Sequence, residues 1–94
     1  MFTYVGLFRF TPVAREHLEK SPEYFDKIRE IVEVEGGTVE RLLAFMGPWD
    51  FITIVKFPDN EIAFKFLAKV AKLEYLKTET FPAEDVELFV KTLV

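Results

Sequence analysis

Residues 45–58 decide the fold, and they read Phe-Met-Gly-Pro-Trp-Asp-Phe-Ile-Thr-Ile-Val-Lys-Phe-Pro. Gly47-Pro48 is a turn signal, because glycine reaches backbone angles that other residues avoid and proline has no N–H to donate. The residues on both sides of the turn are strand-like, and β-branched and aromatic side chains dominate after it. The stretch is therefore predicted to be a β-hairpin with an aromatic ring and a carboxylate, Trp49 and Asp50, at its tip.

Turn residues and apolar periodicity place the other elements outward from this hairpin. Thr11-Pro12 and Ser21-Pro22 each combine a helix N-cap with a proline at the first helical position, and Gly36-Gly37 ends the second helical segment. Strands are predicted at 2–10, 38–46, 50–57 and 74–81, where Pro82 ends the last one, and helices at 13–20, 23–35, 61–73 and 84–93. This order predicts one α+β domain over residues 1–94: a ferredoxin-like βαββαβ arrangement with an antiparallel four-stranded sheet, plus a C-terminal helix.

The first and third strands are apolar on both of their faces. Right-handed crossovers would place these two strands in the centre of the sheet and both long helices on one face. Each large apolar side chain gains roughly 1.5–3 kcal/mol on burial, so the second face also needs a cover. Face-to-face pairing with a second copy supplies that cover, which predicts a homodimer whose two sheets form a barrel-like sandwich.

The two faces of these central strands differ in chemistry. One is aromatic and mostly uncharged; it consists of Phe2, Tyr4, Phe8, Phe10, Phe51 and Phe57. The other has an aliphatic middle and charged ends; it consists of Val5, Leu7, Arg9, Asp50, Ile52, Ile54 and Lys56. If the strands alternate regularly, we expect the aromatic face to pack under the helices and the other face to meet the partner.

Composition and charge exclude several classes of function. The net charge is −4 and the basic residues are interleaved with acidic ones, so no nucleic-acid partner is expected. Cysteine is absent, which leaves no disulfide, thiolate nucleophile or cysteine-based metal site. Neither a signal peptide nor an apolar run long enough for a bilayer appears, so no membrane partner and a cytoplasmic location are predicted. Abundant Glu and Lys, with no Gln or Cys, are typical of a thermophile.

Several short motifs, in order along the chain, resemble the GYD domain family. They are Met1–Val5, Phe10-Thr11-Pro12, Ser21-Pro22, Gly36-Gly37, Gly47-Pro48-Trp49-Asp50, Pro58-Asp59 and Lys77-Thr78-Glu79-Thr80. The family is named for a Gly-x-Tyr-Asp hairpin, and the resemblance implies a dimeric α/β-barrel rather than a particular activity. Trp49 replaces the tyrosine of the motif, which keeps an aromatic plate but removes a titratable hydroxyl.

The chain is also similar, more distantly, to the ligand-sensing domain of Lrp/AsnC-type regulators. That domain has a comparable Gly-x-Tyr-Asp turn and a Thr-x-Thr pattern in its last strand, which Thr78-Glu79-Thr80 matches here. The resemblance implies assembly of dimers into rings and binding of amino acids between subunits. The first predicted strand begins at Phe2 with no helix-turn-helix before it, so a free-standing domain of this kind is expected.

The candidate ligand-binding residues are Gly47, Trp49 and Asp50 at the hairpin tip, with Arg9 and Tyr4 in the first strand. Asp50 could bind a ligand amine at a subunit boundary, or its carboxylate could accept backbone N–H groups of its own turn. Trp49 could stack on a ligand or anchor a subunit contact, or it could simply pack at the tip. No metal, cofactor or catalytic set is predicted, since His17 is the only histidine and Ser21, the only serine, is expected to cap a helix.

The leading hypothesis is a non-catalytic, dimeric small-molecule-binding or assembly module of the GYD type. The alternative is a cofactor-independent α/β-barrel enzyme, similar to monooxygenases or isomerases, that acts on a small hydrophobic substrate through Tyr4, Arg9 and Asp50. The enzyme would need an acid–base pair inside an enclosed cavity, and no such pair is evident in the sequence. A purely structural role without a ligand is the third possibility.

Overall fold

A computed structural model describes residues 1–93. The strands are β1 (Phe2–Phe10), β2 (Thr38–Ala44), β3 (Phe51–Phe57) and β4 (Leu76–Ala83). The helices are α1 (Pro12–Arg15), α2 (Ser21–Val34), α3 (Asn60–Ala71) and α4 (Val86–Lys91), and a single 3₁₀ turn spans Leu18–Lys20. The order is βαββαβ with a C-terminal helix, as the sequence predicts. Within residues 1–93, no helix is long and apolar enough to cross a membrane.

The four strands form one antiparallel sheet in the order β2-β3-β1-β4. The predicted central positions of β1 and β3 are therefore confirmed, and β2 and β4 are the edges. In the register, Gly6 of β1 lies opposite Thr53 on one side and Thr80 on the other. Gly6, Thr53 and Thr80 therefore lie side by side on the face of the sheet where the candidate residue Tyr4 also lies.

The aromatic face of the sheet packs under α2 and α3, as expected. Phe8, Phe51 and Phe57 are at most 1% exposed, and the Phe8 and Phe51 rings stack with centroids 4.8 Å apart. The helices contribute Ile28, Val32, Phe66 and Val70 to the same core. Phe2 is the exception, because it lies at the first position of β1 and remains exposed. The aromatic face is hereafter called the inner face.

Within residues 1–93, no helix covers the opposite face of the sheet, hereafter the outer face. Its aliphatic residues are only half-buried in the central strands; they are Val5, Leu7, Ile52 and Ile54. Leu43 of β2 and Phe81 of β4 extend this apolar surface to both edges and are more exposed. An ion pair between Lys56 and Glu40, 3.0 Å long, lies at one end. The apolar centre of the outer face is thus left without a cover by residues 1–93.

Three details of the strands and helices differ from the sequence-based prediction. The hairpin connection is not a tight turn but a six-residue loop, residues 45–50, because β2 ends at Ala44 and β3 begins at Phe51. Pro82 does not end β4 but lies inside it, which an edge strand tolerates because one side of its backbone needs no hydrogen-bonded partner. Ser21 is the first residue of α2 rather than its cap; Lys20 precedes the helix and makes no side-chain capping bond.

Against the described part of the protomer, residues 1–93, the C-terminal helix α4 buries none of its residues. Its apolar side chains are all exposed; they are Val86, Leu88, Phe89 and Val90. The radius of gyration is 14.1 Å and the longest dimension is 50 Å, whereas a compact chain of this length has a radius of about 12.4 Å. A six-residue helix is far too short to be stable in water by itself, so α4 needs a surface to pack on.

Candidate functional site

Asp50 joins the hairpin loop to β1 and α1. Its carboxylate accepts a 2.8 Å hydrogen bond from the Phe10 N–H and a 2.9 Å bond from Arg15 Nη2, while its own N–H donates to Phe8 O over 2.8 Å. The carboxylate therefore bonds to the neighbouring strand and to α1, and not to N–H groups of its own turn, which was one of the two alternatives for this residue. Both oxygens already have partners, which makes Asp50 a residue that positions the loop.

Arg9 holds the opposite side of the same loop. Its Nε donates to Pro48 O over 2.9 Å, and the guanidinium lies 4.7 Å from the centroid of the Trp49 ring. A guanidinium at this distance is attracted to the face of the indole. Gly47 has φ +148°, a conformation that L side chains rarely adopt, so it allows the loop to bring Trp49 over Arg9. The sequence did not indicate the contact between Arg9 and Trp49.

An open cleft of about 250 Å³ lies next to Trp49; it is lined by Arg9, Trp49, Lys77, Thr78 and Glu79. Arg9 and Lys77 are directly opposite each other on the neighbouring strands β1 and β4. Like charges in this position repel each other, and among residues 1–93 neither cation forms an ion pair. Glu79 lies two residues further along β4. The cleft therefore offers two cations, one carboxylate and an aromatic surface.

Tyr4 does not belong to this cleft. It is separated from Arg9 by five residues of extended strand, about 17 Å, and its side chain is buried on the inner face. The hydroxyl donates to Oδ1 of Asn60 at the beginning of α3. Burial, and secondarily the nearby charge of Asp59, raise the pKa of Tyr4, so the phenol is protonated at neutral pH. The five predicted residues thus divide into a hairpin-tip group and Tyr4.

Sequence reasoning missed four residues of these sites: Arg15, Asn60, Lys77 and Glu79. Their roles depend on the register of β4 against β1 and on where α1 and α3 begin, which no local pattern reveals. His17, exposed in the 3₁₀ region, lies 3.4 Å from a carboxylate oxygen of Glu19. Over residues 1–93, no group of three or more His, Cys, Asp or Glu side chains is placed to hold a metal ion.

The sheet order and the one-sided helical layer define a ferredoxin-like α+β domain. The model of the GYD domain family matches residues 4–93, and the chain therefore belongs to that family. The resemblance noted from the hairpin and its flanking motifs is confirmed.

Two solved structures are similar in fold over most of the chain. The crystal structure of FFRP-DM1 superposes with a TM-score of 0.67 at 21% identity, covering 89% of this chain and all of that one. TTHA0845 from Thermus thermophilus gives a TM-score of 0.57 at 20% identity, with coverage of 92% and 96%. None of the curated proteins is significantly similar in sequence. Identities this low establish a shared fold and nothing more specific.

Proposed function

We propose that this GYD-type domain is a homodimeric module that binds a small zwitterionic molecule, such as a free amino acid, in the cleft beside Trp49. The observation that carries the proposal is the pair of facing cations, Arg9 and Lys77, beside an indole ring. Two like charges on adjacent strands cost stability unless an anion neutralises them. A ligand carboxylate would do so and would gain charge-assisted hydrogen bonds.

The remaining groups of the cleft fit the rest of such a ligand. Glu79 would accept hydrogen bonds from the ligand's ammonium group, and Trp49 offers an apolar surface for the ligand's side chain. Asp50, already bonded by Arg15 and the Phe10 N–H, would position the loop rather than touch the ligand. Gly47 has the same supporting role through its backbone conformation. The distant similarity to amino-acid-sensing domains agrees with this ligand class.

The dimer rests on two apolar surfaces that the protomer leaves open. The outer face carries half-buried Val5, Leu7, Ile52 and Ile54 in its centre, and α4 presents Phe89 and Val90 to solvent. Pairing of two outer faces would bury the former, and α4 would extend onto the second copy. We further propose that such dimers assemble into a ring. A cytoplasmic location and a thermophilic source are also part of the proposal.

We favour binding over catalysis for this domain. The enzymatic alternative requires an acid and a base that titrate together in an enclosed cavity. Asp50 is paired with Arg15, and the Tyr4 phenol is bonded to the amide of Asn60, which does not titrate. None of these contacts favours an acid–base mechanism, so the catalytic hypothesis has no supporting observation here.

Isothermal titration calorimetry with L-phenylalanine tests the ligand proposal. We expect saturable binding that weakens about tenfold or more in Lys77→Ala, because a charge-assisted hydrogen bond is removed. Lys65→Ala is the matched control, because Lys65 is an exposed residue of α3 outside the cleft. This variant should bind the ligand like the wild type. Equal affinities of the two variants, or no heat with any of the common amino acids, would exclude the proposed cleft.

Light scattering coupled to size exclusion tests the assembly. The expected mass is about 22 kDa or a multiple of it, since each chain has 11.0 kDa. Phe89→Lys should weaken association, because it places a charge on the apolar side of α4. A mass of one chain at micromolar concentration would contradict the dimer, whatever the calorimetry shows.

A further inference from the structure

A second concave region, away from the hairpin tip, lies between α3 and the edge strand β4. Its narrow part, about 160 Å³, is lined by Tyr4, Asn60, Ala63, Phe64, Leu67, Thr80 and Pro82. A wider and more open part of about 540 Å³ continues past Leu67 and Thr80 towards Val70 and Thr78. The two parts share Leu67 and Thr80, so they form one continuous groove, hereafter the α3–β4 groove.

The groove exists because the helical layer leaves part of β4 uncovered. In the central strands, the inner-face residues Tyr4 and Phe8 are buried, whereas Thr78 and Thr80 of β4 are only half-buried. The large side chain of Phe64, 70% exposed, stands at the rim of the narrow part. One wall is therefore the apolar side of α3, and the other is a strand edge that carries hydroxyl groups.

Hydroxyl groups converge on the strand side of the groove around a glycine. A Cβ on Gly6 would lie 2.6 Å from Thr53 Oγ1 and 3.2 Å from Thr80 Oγ1, so both threonines reach over the space that a side chain would fill. Thr80 and Thr78 are linked by a 2.9 Å hydroxyl–hydroxyl hydrogen bond. The Tyr4 O–H donates a hydrogen bond to Asn60 Oδ1, which leaves the phenol oxygen free to accept another.

We propose that the α3–β4 groove binds an uncharged compound of single-ring size, whose apolar body packs against α3 and whose O–H or N–H group hydrogen-bonds to Tyr4 and Thr80. An apolar cavity of roughly 150 Å³ accommodates benzene, which matches the narrow part. No charged side chain lines this part, so an ionised ligand would lose its hydration without compensation. The wider part of the groove shares Lys77 and Thr78 with the cleft beside Trp49, whereas the narrow part shares no lining residue with it. The compound is therefore placed in the narrow part, which takes a different class of ligand from the cleft.

An NMR titration of the ¹⁵N-labelled full-length chain with phenol tests the proposal, with benzoate as the matched charged probe. We expect phenol to shift the amide signals of Ala63, Leu67 and Thr80 saturably. Benzoate, which has the same ring and a negative charge, should leave those signals in place and instead shift signals of Arg9 and Trp49. Phenol shifts that are confined to the Trp49 cleft, or that do not saturate, would overturn the proposal without affecting the amino-acid cleft.

Two variants separate the apolar wall from the hydroxyl wall. Leu67→Trp fills the middle of the groove and should weaken phenol binding at least about tenfold, whereas Leu18→Trp, outside the groove lining, should not change it. Thr80→Val keeps the size of the side chain and removes one hydrogen bond, so a loss of about three- to tenfold is expected. Unchanged affinity in both groove variants would overturn the proposal.

The exposed helix α4 of a second copy is the competing occupant of the same groove. If α4 of a second copy filled the groove, phenol would not shift the groove signals of the wild type. It would shift them in Phe89→Lys, in which the docking of α4 onto the second copy is weakened. That result would overturn the small-molecule proposal. Equal phenol affinity of wild type and Phe89→Lys supports it.

Discussion

The two faces of the sheet are both apolar in the centre of β1 and β3, but they are buried to different extents in the folded chain. Phe8 and Phe51 of the inner face are at most 1% exposed, whereas their strand neighbours Leu7 and Ile52 on the outer face are only half-buried. Residues of the two faces alternate along the same two central strands, β1 and β3. The difference comes from α2 and α3, which cover one face only. An apolar pattern thus indicates that a face must be buried, but not what covers it.

The chemistry of the two faces fits different covers. The inner face combines large aromatic rings with Gly6 and threonines, and its rings interlock with each other and with α2 and α3. The outer face is aliphatic in its centre and charged at its ends, where Lys56 pairs with Glu40. Aliphatic sheet faces suit sheet-on-sheet packing, in which side chains of two sheets interdigitate.

The largest expected effect comes from removing a ring of the inner face. Phe8→Ala should lower the free energy of unfolding by about 3–5 kcal/mol, because the aromatic cluster cannot close the cavity. Leu7→Ala, one residue earlier on the outer face, should cost less than half as much in dilute protein. Urea denaturation of both variants measures the difference; equal losses would show that the faces are buried to the same extent.

Gly6→Ala tests how tightly the centre of the inner face is filled. The new methyl group would lie 2.6 Å from Thr53 Oγ1 and 2.8 Å from the Phe8 ring, and such overpacking typically costs about 1–3 kcal/mol. The double variant Gly6→Ala/Thr53→Ala should recover part of the loss relative to the sum of the single variants, as thermal unfolding can show. Strict additivity would mean that the threonine is not the obstacle.

Ile54→Lys tests the outer face. We expect a loss of stability below about 1 kcal/mol in the dissociated chain, because Ile54 is half-buried there. The dimer should dissociate at least tenfold more readily, since an unpaired charge would be desolvated in the interface. Val34→Lys makes the same kind of change on the exposed side of α2 and should leave association unchanged in sedimentation experiments.

Asp50→Asn tests the hairpin loop that connects β2 to β3. The variant keeps the shape but weakens the bonds from the Phe10 N–H and Arg15, so a loss of about 1 kcal/mol is expected. Arg15→Ala should cost less, because the guanidinium is half-exposed and solvent screens its charge. A loss in Arg15→Ala that exceeds that in Asp50→Asn would contradict the assignment of the Phe10 N–H as the main partner.

The smallest effect is the pH dependence that Tyr4 contributes. Burial raises its pKa in the folded chain above the value of about 10 expected when unfolded. The stabilising contribution is therefore complete below pH 10 and is lost as the pH rises through the folded pKa. Tyr4→Phe should lose less stability than the wild type between pH 9.5 and 11 in thermal unfolding, while the two should change in parallel between pH 7 and 9.

Much of the fold follows from particular residues of the sequence. The double-sided apolar pattern of β1 and β3 placed them in the centre, because only central strands can bury both faces. Thr11, whose hydroxyl accepts the Ala14 N–H, caps α1 as its type and position predict. The site was less predictable: Trp49 was expected at the hairpin tip and Arg9 in the first strand, but their contact depends on a six-residue loop that Gly47-Pro48 alone does not specify.

The sequence by itself determined the order of elements and the central strands, since these follow from local periodicity and chain connectivity. Tertiary structure decided which side chains meet. It paired Asp50 with Arg15, set Arg9 opposite Lys77, and separated Tyr4 from the hairpin tip. It also left the α3–β4 groove open. Such contacts depend on strand register and helix placement, which are set by the packing of the whole chain rather than by any short segment.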